Sequence, residues 1–131
     1  MKKVLFVCAG NVARSQMAEA YYNFFTKSSN ATSAGLQNHT PEKYKKPIQA
    51  VIDVMKEDGI DVSNHKVKYV TKEMVDEADE IYILAPEESI PDFLKNSPKI
   101  KLLPIKDPFD SSLETFREIR NEIKEKICNL V

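Results

Sequence analysis

The sequence predicts an α/β domain, a four-stranded parallel sheet covered on both faces by helices. Three observations carry this. Val4 to Val7 and Ile81 to Leu84 are unbroken apolar runs of strand length, the pattern of strands buried on both sides. Stretches with helical periodicity alternate with the strands. The residues best suited to chemistry follow strand ends, where open parallel sheets bind their ligands. With 131 residues and no linker, repeat or low-complexity tract, the chain reads as one domain, 1–131.

The elements follow in order. Lys2 to Val7 is expected as a buried strand, and Ser15 to Phe25 as a helix with Met17, Ala20, Tyr21, Phe24 and Phe25 facing inward. Ala31 to Ala34 predicts a second strand ending at Gly35, and Leu36 to Lys46 is polar and irregular. Pro47 opens a helix whose Ile48, Val51, Ile52 and Met55 fall at i, i+3, i+4 and i+7, and Gly59 stops it. Ile60 to His65 is a connector, and Thr71 to Glu77 a short helix. Ile81 to Leu84 reads as a central strand, Pro86 to Leu94 as loop or short helix, and Ile100 to Ile105 as the last strand. Ser111 with Glu114 forms a capping box for a final helix striped by Leu113, Phe116, Ile119, Ile123, Ile127 and Leu130.

The first strand-to-helix turn holds Cys8-Ala9-Gly10-Asn11-Val12-Ala13-Arg14-Ser15. Five residues curled between Cys8 and Arg14 can aim successive backbone N–H groups at one oxyanion, and the following helix adds its positive end. Ala9, Gly10, Asn11, Val12, Ala13 and Arg14 are therefore the expected phosphate-binding residues. A helix N-terminus and an arginine both favour the thiolate of a cysteine beside them. Taken alone, Cys8 would pass as a small buried hydrophobe. That reading does not explain an arginine at this spot in a chain with sixteen lysines and three arginines. A planar donor fork matched to a tetrahedral oxyanion does. Ser15 suits either a hydrogen bond to the sulfur or a helix N-cap, and Asn11 suits pinning of the loop. Asp107-Pro108 follows the last strand and supplies a carboxyl group that can protonate a leaving oxygen and then activate water. Cys8, Arg14, Asp107 and Ser15 are the expected catalytic set.

Composition narrows the classes. Nineteen Lys and Arg against 20 Asp and Glu, spread along the chain, argue against a nucleic-acid footprint, and runs such as Lys43 to Lys46 read as solvated surface. The apolar runs are too short for a membrane span or a signal-peptide core, so a cytoplasmic protein is expected. Two cysteines, Cys8 and Cys128, make no disulfide framework, and His39 and His65 read as loop residues, with no metal site. No metal or organic cofactor is required.

Val4 to Asn11 and Arg14-Ser15-Gln16-Met17-Ala18-Glu19-Ala20 resemble the low-molecular-weight protein tyrosine phosphatase superfamily, which includes the thioredoxin-coupled arsenate reductases. Thr32 to Gly35, Val54 to Asp61, Asp107-Pro108 and the Phe116 to Arg120 helix extend the resemblance over essentially the whole chain. It implies a low-molecular-weight phosphatase-like fold with Cys8 as nucleophile, Arg14 on the oxyanion, Ser15 steadying the thiolate and Asp107 as acid and base. Several segments resemble the reductase branch most, yet Ile83 to Pro91 lacks the relay cysteines that branch carries after the third strand. Val12 is more like the tyrosine phosphatases. Phe109 and Asp110 stand where those enzymes usually have tyrosines, and their substrate-loop aromatic has no clear match among Leu36 to Tyr44.

The sequence thus points to a cysteine-dependent phosphomonoester hydrolase working through a cysteinyl-phosphate. Its expected substrate is a phosphorylated protein or small aryl phosphate such as phosphotyrosine, handled by a monomer or weak dimer. The alternatives are an arsenate reductase using an external thiol or redoxin, and an oxyanion-binding module without turnover.

Overall fold

The computed structural model describes residues 2–131. Four strands, β1 (Val4–Cys8), β2 (Ala31–Gly35), β3 (Glu80–Ile83) and β4 (Ile100–Leu102), form one sheet in the order β2-β1-β3-β4, every neighbouring pair parallel. The chain leaves β1 for β2 on one side and then crosses to β3 on the other, so a crevice opens at the carboxyl end of β1. The expected α/β class is the observed one.

Alternation along the strands divides the core in two. Val4, Phe6, Cys8, Tyr82 and Leu84 face helices α1 (Arg14–Thr26), α3 (Gln49–Glu57) and α6 (Leu113–Leu130). Leu5, Val7, Ile81 and Ile83 face the other way, against Val75 of α4 (Lys72–Glu77) and Leu94 of α5 (Asp92–Lys95). Both faces of β1 are buried, which is why its sequence shows no polar alternation.

Several boundaries differ from expectation. Lys2 and Lys3 lie outside β1; Lys3 ties itself instead to Asp79, its N–H donating to Oδ2 at 2.8 Å and its carbonyl accepting from the Asp79 N–H at 2.8 Å. Phe24 is 56% exposed rather than inward, because the buried stretch of α1 ends at Tyr22. The Leu36 to Lys46 segment is not wholly irregular: Thr40–Lys43 forms a one-turn helix, α2, with proline in its first turn. β4 stops at Leu102, although Leu103 and Ile105 continue to donate to Ile83 and Leu84 carbonyls at 2.8 and 3.0 Å. Ser112, not Ser111, caps α6; its Oγ accepts from the Thr115 N–H at 3.2 Å. Leu113 is exposed, so the buried stripe of α6 starts at Phe116. Gly59 does end α3, with φ of +77°.

Candidate active site

The turn after β1 is shaped by where its carbonyls go. Those of Ala9, Asn11, Val12 and Ala13 all accept from groups outside the loop's hollow. Ala9 takes the Leu36 and Gln37 N–H groups at 2.8 and 3.0 Å, Asn11 takes Gln16 Nε2 at 3.1 Å, Val12 takes the Ile48 N–H at 3.2 Å, and Ala13 takes the Met17 N–H at 3.0 Å. With the carbonyl edge held outward, the amide edge turns inward toward Cys8, and the Asn11 N–H lies 3.3 Å from its sulfur. Helix α1 begins at Arg14 with no side-chain cap on its first-turn N–H groups, which leaves the positive end of its dipole beside the turn.

Asn11 holds this shape. It is wholly buried, adopts φ of +59°, and its amide orientation is fixed by its partners. Oδ1 accepts from the Lys68 N–H at 2.8 Å and Gln16 Nε2 at 3.0 Å, so Nδ2 must donate, to Ser15 Oγ at 2.7 Å and Ser33 Oγ at 2.9 Å. Ser33 in turn donates to Glu19 at 2.8 Å. Since Ser15 Oγ accepts from Asn11, its own proton is directed to Cys8 Sγ, 2.9 Å away. A hydroxyl donating to sulfur favours the thiolate. Ser15 therefore serves the sulfur and not a helix cap.

This relay was not foreseen beyond Asn11 and Ser15. Gln16, Glu19, Ser33, His65 and Lys68 complete it behind the loop: His65 Nδ1 lies 3.1 Å from Gln16 Oε1 and 3.5 Å from Glu19, and Lys68 Nζ 3.9 Å from Glu19. Burial pushes the Lys68 ammonium below the ordinary lysine value, and Glu19 opposes that shift. The signal was present in the sequence as polar Gln16 and Glu19 on the first helix and Ser33 inside a strand, all places where a buried polar group requires partners.

Arg14 is buried, and one corner of its guanidinium is anchored: Nη1 donates to the carbonyls of Ile105 at 3.0 Å and Leu84 at 3.3 Å. The opposite edge is available. Nη2 lies 3.7 Å from Asp107 Oδ2, and Nε is buried with no hydrogen-bond partner. That Nε–Nη2 edge is the fork that fits two oxygens of one anion, and an orphaned buried donor there marks the place where a ligand supplies the acceptor. Asp107 is half exposed at the rim, with Oδ1 accepting from the Phe109 N–H at 3.0 Å.

A cleft of about 280 Å³ joins these groups. Of the expected residues, Cys8, Ala9, Gly10, Val12, Ala13, Arg14 and Asp107 line it, while Asn11 and Ser15 lie behind it as supports. Its outer wall comes from residues read otherwise in the sequence. His39 and Lys43, expected as plain loop and solvated surface, line the mouth, as do Tyr44 and Phe109. Tyr44 thus supplies an aromatic from a segment where none could be assigned. The one-turn helix α2 puts it there. No group of His, Cys, Asp and Glu able to hold a metal occurs among the described residues.

The family model described as low molecular weight phosphotyrosine protein phosphatase matches residues 3–131. The chain belongs to that family. Within it, the phosphatase-family chain is 32% identical over 133 residues to a protein of Synechocystis sp. named glutaredoxin arsenate reductase, covering 100% of this chain and 97% of that one. It is 31% identical to arsenate reductase 2 of Staphylococcus saprophyticus, over 96% and 93% of the two chains. In structure, it superposes on the low molecular weight protein tyrosine phosphatase of T. tengcongensis with a TM-score of 0.88 at 29% identity, over 99% of this chain and 97% of that one. An arsenate reductase solved in a phosphate-binding state gives 0.82 at 32% identity, over 99% and 96%. Members with both names share the fold, so the choice between the two chemistries falls to the residues of this chain.

Proposed function

We propose that this enzyme hydrolyses aryl phosphate monoesters, phosphotyrosine foremost, through a cysteinyl-phosphate. One observation carries the reading: Cys8 is the only thiol lining the cleft, and the segment that follows β3, Leu84 to Pro91, holds no sulfur. The other cysteine, Cys128, is exposed on the last helix and is not among the cleft residues. An internal dithiol relay has no second member at the cleft.

The steps follow from the groups in place. The Cys8 thiolate attacks phosphorus in line; an S–P bond forms and the ester P–O bond breaks. The Asp107 carboxyl group protonates the departing phenolate oxygen. Arg14, through Nε and Nη2, and the inward amides of Ala9 to Ala13 bind the equatorial oxygens, where they meet the charge of the transition state. Water then attacks the cysteinyl-phosphate while Asp107, now a carboxylate, takes its proton. The S–P bond breaks, leaving thiolate and inorganic phosphate. Ser15 and the Asn11 amide stabilise the sulfur both as nucleophile and as leaving group. Tyr44 and Phe109 at the mouth suit an aromatic ring, which supports an aryl substrate.

The second reading, arsenate reduction with an external thiol, is supported by the names of the relatives. Aryl phosphate hydrolysis and arsenite formation measured in parallel on one preparation separate the two. Hydrolysis is expected without any added thiol once Cys8 is reduced, and thioredoxin alone is expected to support no arsenite production. Thioredoxin-driven arsenite formation as fast as hydrolysis would replace this reading with the reductase.

A further inference from the structure

We propose that the mouth of the cleft selects phosphotyrosine carried in an acidic peptide, with Lys43 and His39 as the residues that read the flanking carboxylates. The proposal rests on the phosphatase reading above and adds the substrate class to it. The charges around the cleft are unbalanced. Its lining contains the cations Arg14 and Lys43 against a single carboxylate, Asp107. Arg14 sits at the floor, where the phosphate itself neutralises it, and Asp107 is engaged with Arg14 Nη2 and the Phe109 N–H. Neither compensates the Lys43 ammonium at the mouth. Among the described residues no carboxylate pairs with Lys43 or His39 within ion-pair distance, although carboxylates pair with Lys2, Lys68, Lys101, Lys124 and Lys126 elsewhere.

Depth separates the two kinds of recognition. A phosphoryl group over Cys8 puts the ester oxygen near Asp107 and the attached ring between the walls that Tyr44 and Phe109 provide. Lys43 and His39 are exposed and stand on the same rim as Tyr44, and the Lys43 ammonium lies 5.4 Å from the centroid of the Tyr44 ring. A cation held over the ring wall, outside the pocket's depth, meets whatever is attached beyond the substrate's own ring. For phosphotyrosine that is the peptide on either side. Carboxylates there would gain the Lys43 ammonium, with the His39 imidazole on the same rim as a hydrogen-bonding group, and basic residues there would face Lys43 at close range. Exposed charges of this kind steer association and discriminate partners more than they add to total affinity.

The test uses three phosphotyrosyl peptides of equal length, flanked by Asp and Glu, by Asn and Gln, or by Lys. Each is assayed with the native enzyme, Lys43→Met and Lys43→Glu, and phenyl phosphate serves as the reference without flanking residues. For the native enzyme kcat/KM is expected to favour the acidic peptide over the neutral one by about fivefold at low ionic strength, the upper range for one exposed ion pair. The preference is expected to shrink at about 0.5 M salt. Lys43→Met brings the ratio toward one, and Lys43→Glu inverts it in favour of the lysine-flanked peptide. Equal rates on all three peptides, with ratios that charge reversal leaves unmoved, would overturn the proposal while leaving the phosphatase reading intact. Failure to hydrolyse any peptide or phenyl phosphate would overturn both.

Discussion

The shape of the turn from Cys8 to Ser15 depends on an atom that is missing from its neighbour. Gly35 ends β2 beside Cys8, and a Cβ built on it would lie 2.8 Å from the Gly10 carbonyl carbon, 2.9 Å from the Ala9 oxygen and 3.0 Å from the Asn11 nitrogen. All three are backbone atoms of the loop, so no side chain can swing away to make room. Its own N–H donates to Lys68 at 2.8 Å and its carbonyl accepts from Val70 at 2.9 Å, which prevents retreat on the far side. Gly35→Ala is therefore expected to push the loop off its anion-binding geometry. Displacement by about 1 Å of groups that must meet a transition state costs on the order of 10²-fold in rate, and a smaller shift a part of that. The expected outcome is a folded protein whose kcat/KM on aryl phosphates falls by at least about tenfold. Activity within twofold of native would mean that the loop has slack the geometry does not suggest. The sequence shows the glycine but not its reason, because the contact joins residues 25 apart in the chain.

Between elements, legibility tracks how local the cause is. β1, β3 and α3 could be read closely because a doubly buried strand and an amphipathic helix are written in consecutive residues. The Cys8 to Ser15 turn was legible for the same reason, since one spacing contains the sulfur, the amides and the guanidinium. The mouth was not, because α2 acquires its role only when Thr40–Lys43 packs beside Gly10, whose built Cβ would lie 3.4 Å from Thr40 Cγ2. The start of α6 was misplaced by one residue for a conformational reason: Asp110 takes φ of +63°, and the Ser111 N–H closes a turn onto the Pro108 carbonyl at 2.9 Å. That turn delivers Ser112, not Ser111, to the capping position. Two substitutions separate the alternatives. Ser112→Ala removes the bond to the Thr115 N–H and is expected to cost about 1 kcal/mol of stability in denaturant unfolding, whereas Ser111→Ala costs less than about 0.5. The reverse order would restore the Ser111 capping box.

At the scale of the whole molecule, the sheet sends the active site to its carboxyl end while a cluster of charges ties together the three helices on one face. The C-terminal end of α3 supplies the carboxylates. Glu57 takes Arg120 at 2.6 Å and Arg117 at 2.9 Å from α6, and Asp58 accepts the Tyr21 hydroxyl of α1 at 2.6 Å with Lys124 of α6 at 3.2 Å. Arg120 is mostly buried and also donates to the Val54 carbonyl at 2.9 Å. The Tyr21 hydrogen bond, aided by Lys124, holds the Asp58 carboxyl below its ordinary value, and the bonds from Arg117 and Arg120 do the same for Glu57. Burial and the neighbouring carboxylate push the Tyr21 hydroxyl up, so it remains a donor throughout the working range. A carboxyl group whose value is depressed in the folded state contributes stability that is present above its unfolded value, about 3.9 for aspartate, and is lost as pH falls through the folded value. Thermal stability from these groups is therefore expected to be level from about pH 8 down to about 5 and to fall steeply below about pH 4. Asp58→Asn keeps the shape but removes the charge, so it should lower Tm at pH 7 by roughly 4 °C, the equivalent of about 1 kcal/mol, the difference between a hydrogen bond to a charged acceptor and one to a neutral acceptor. It should also flatten the acid limb. Melting curves of both proteins at pH 7 and pH 3 decide the matter: the gap in Tm must narrow at pH 3, and a gap that persists undiminished would show that the α1–α3–α6 tie does not act through the charge on Asp58.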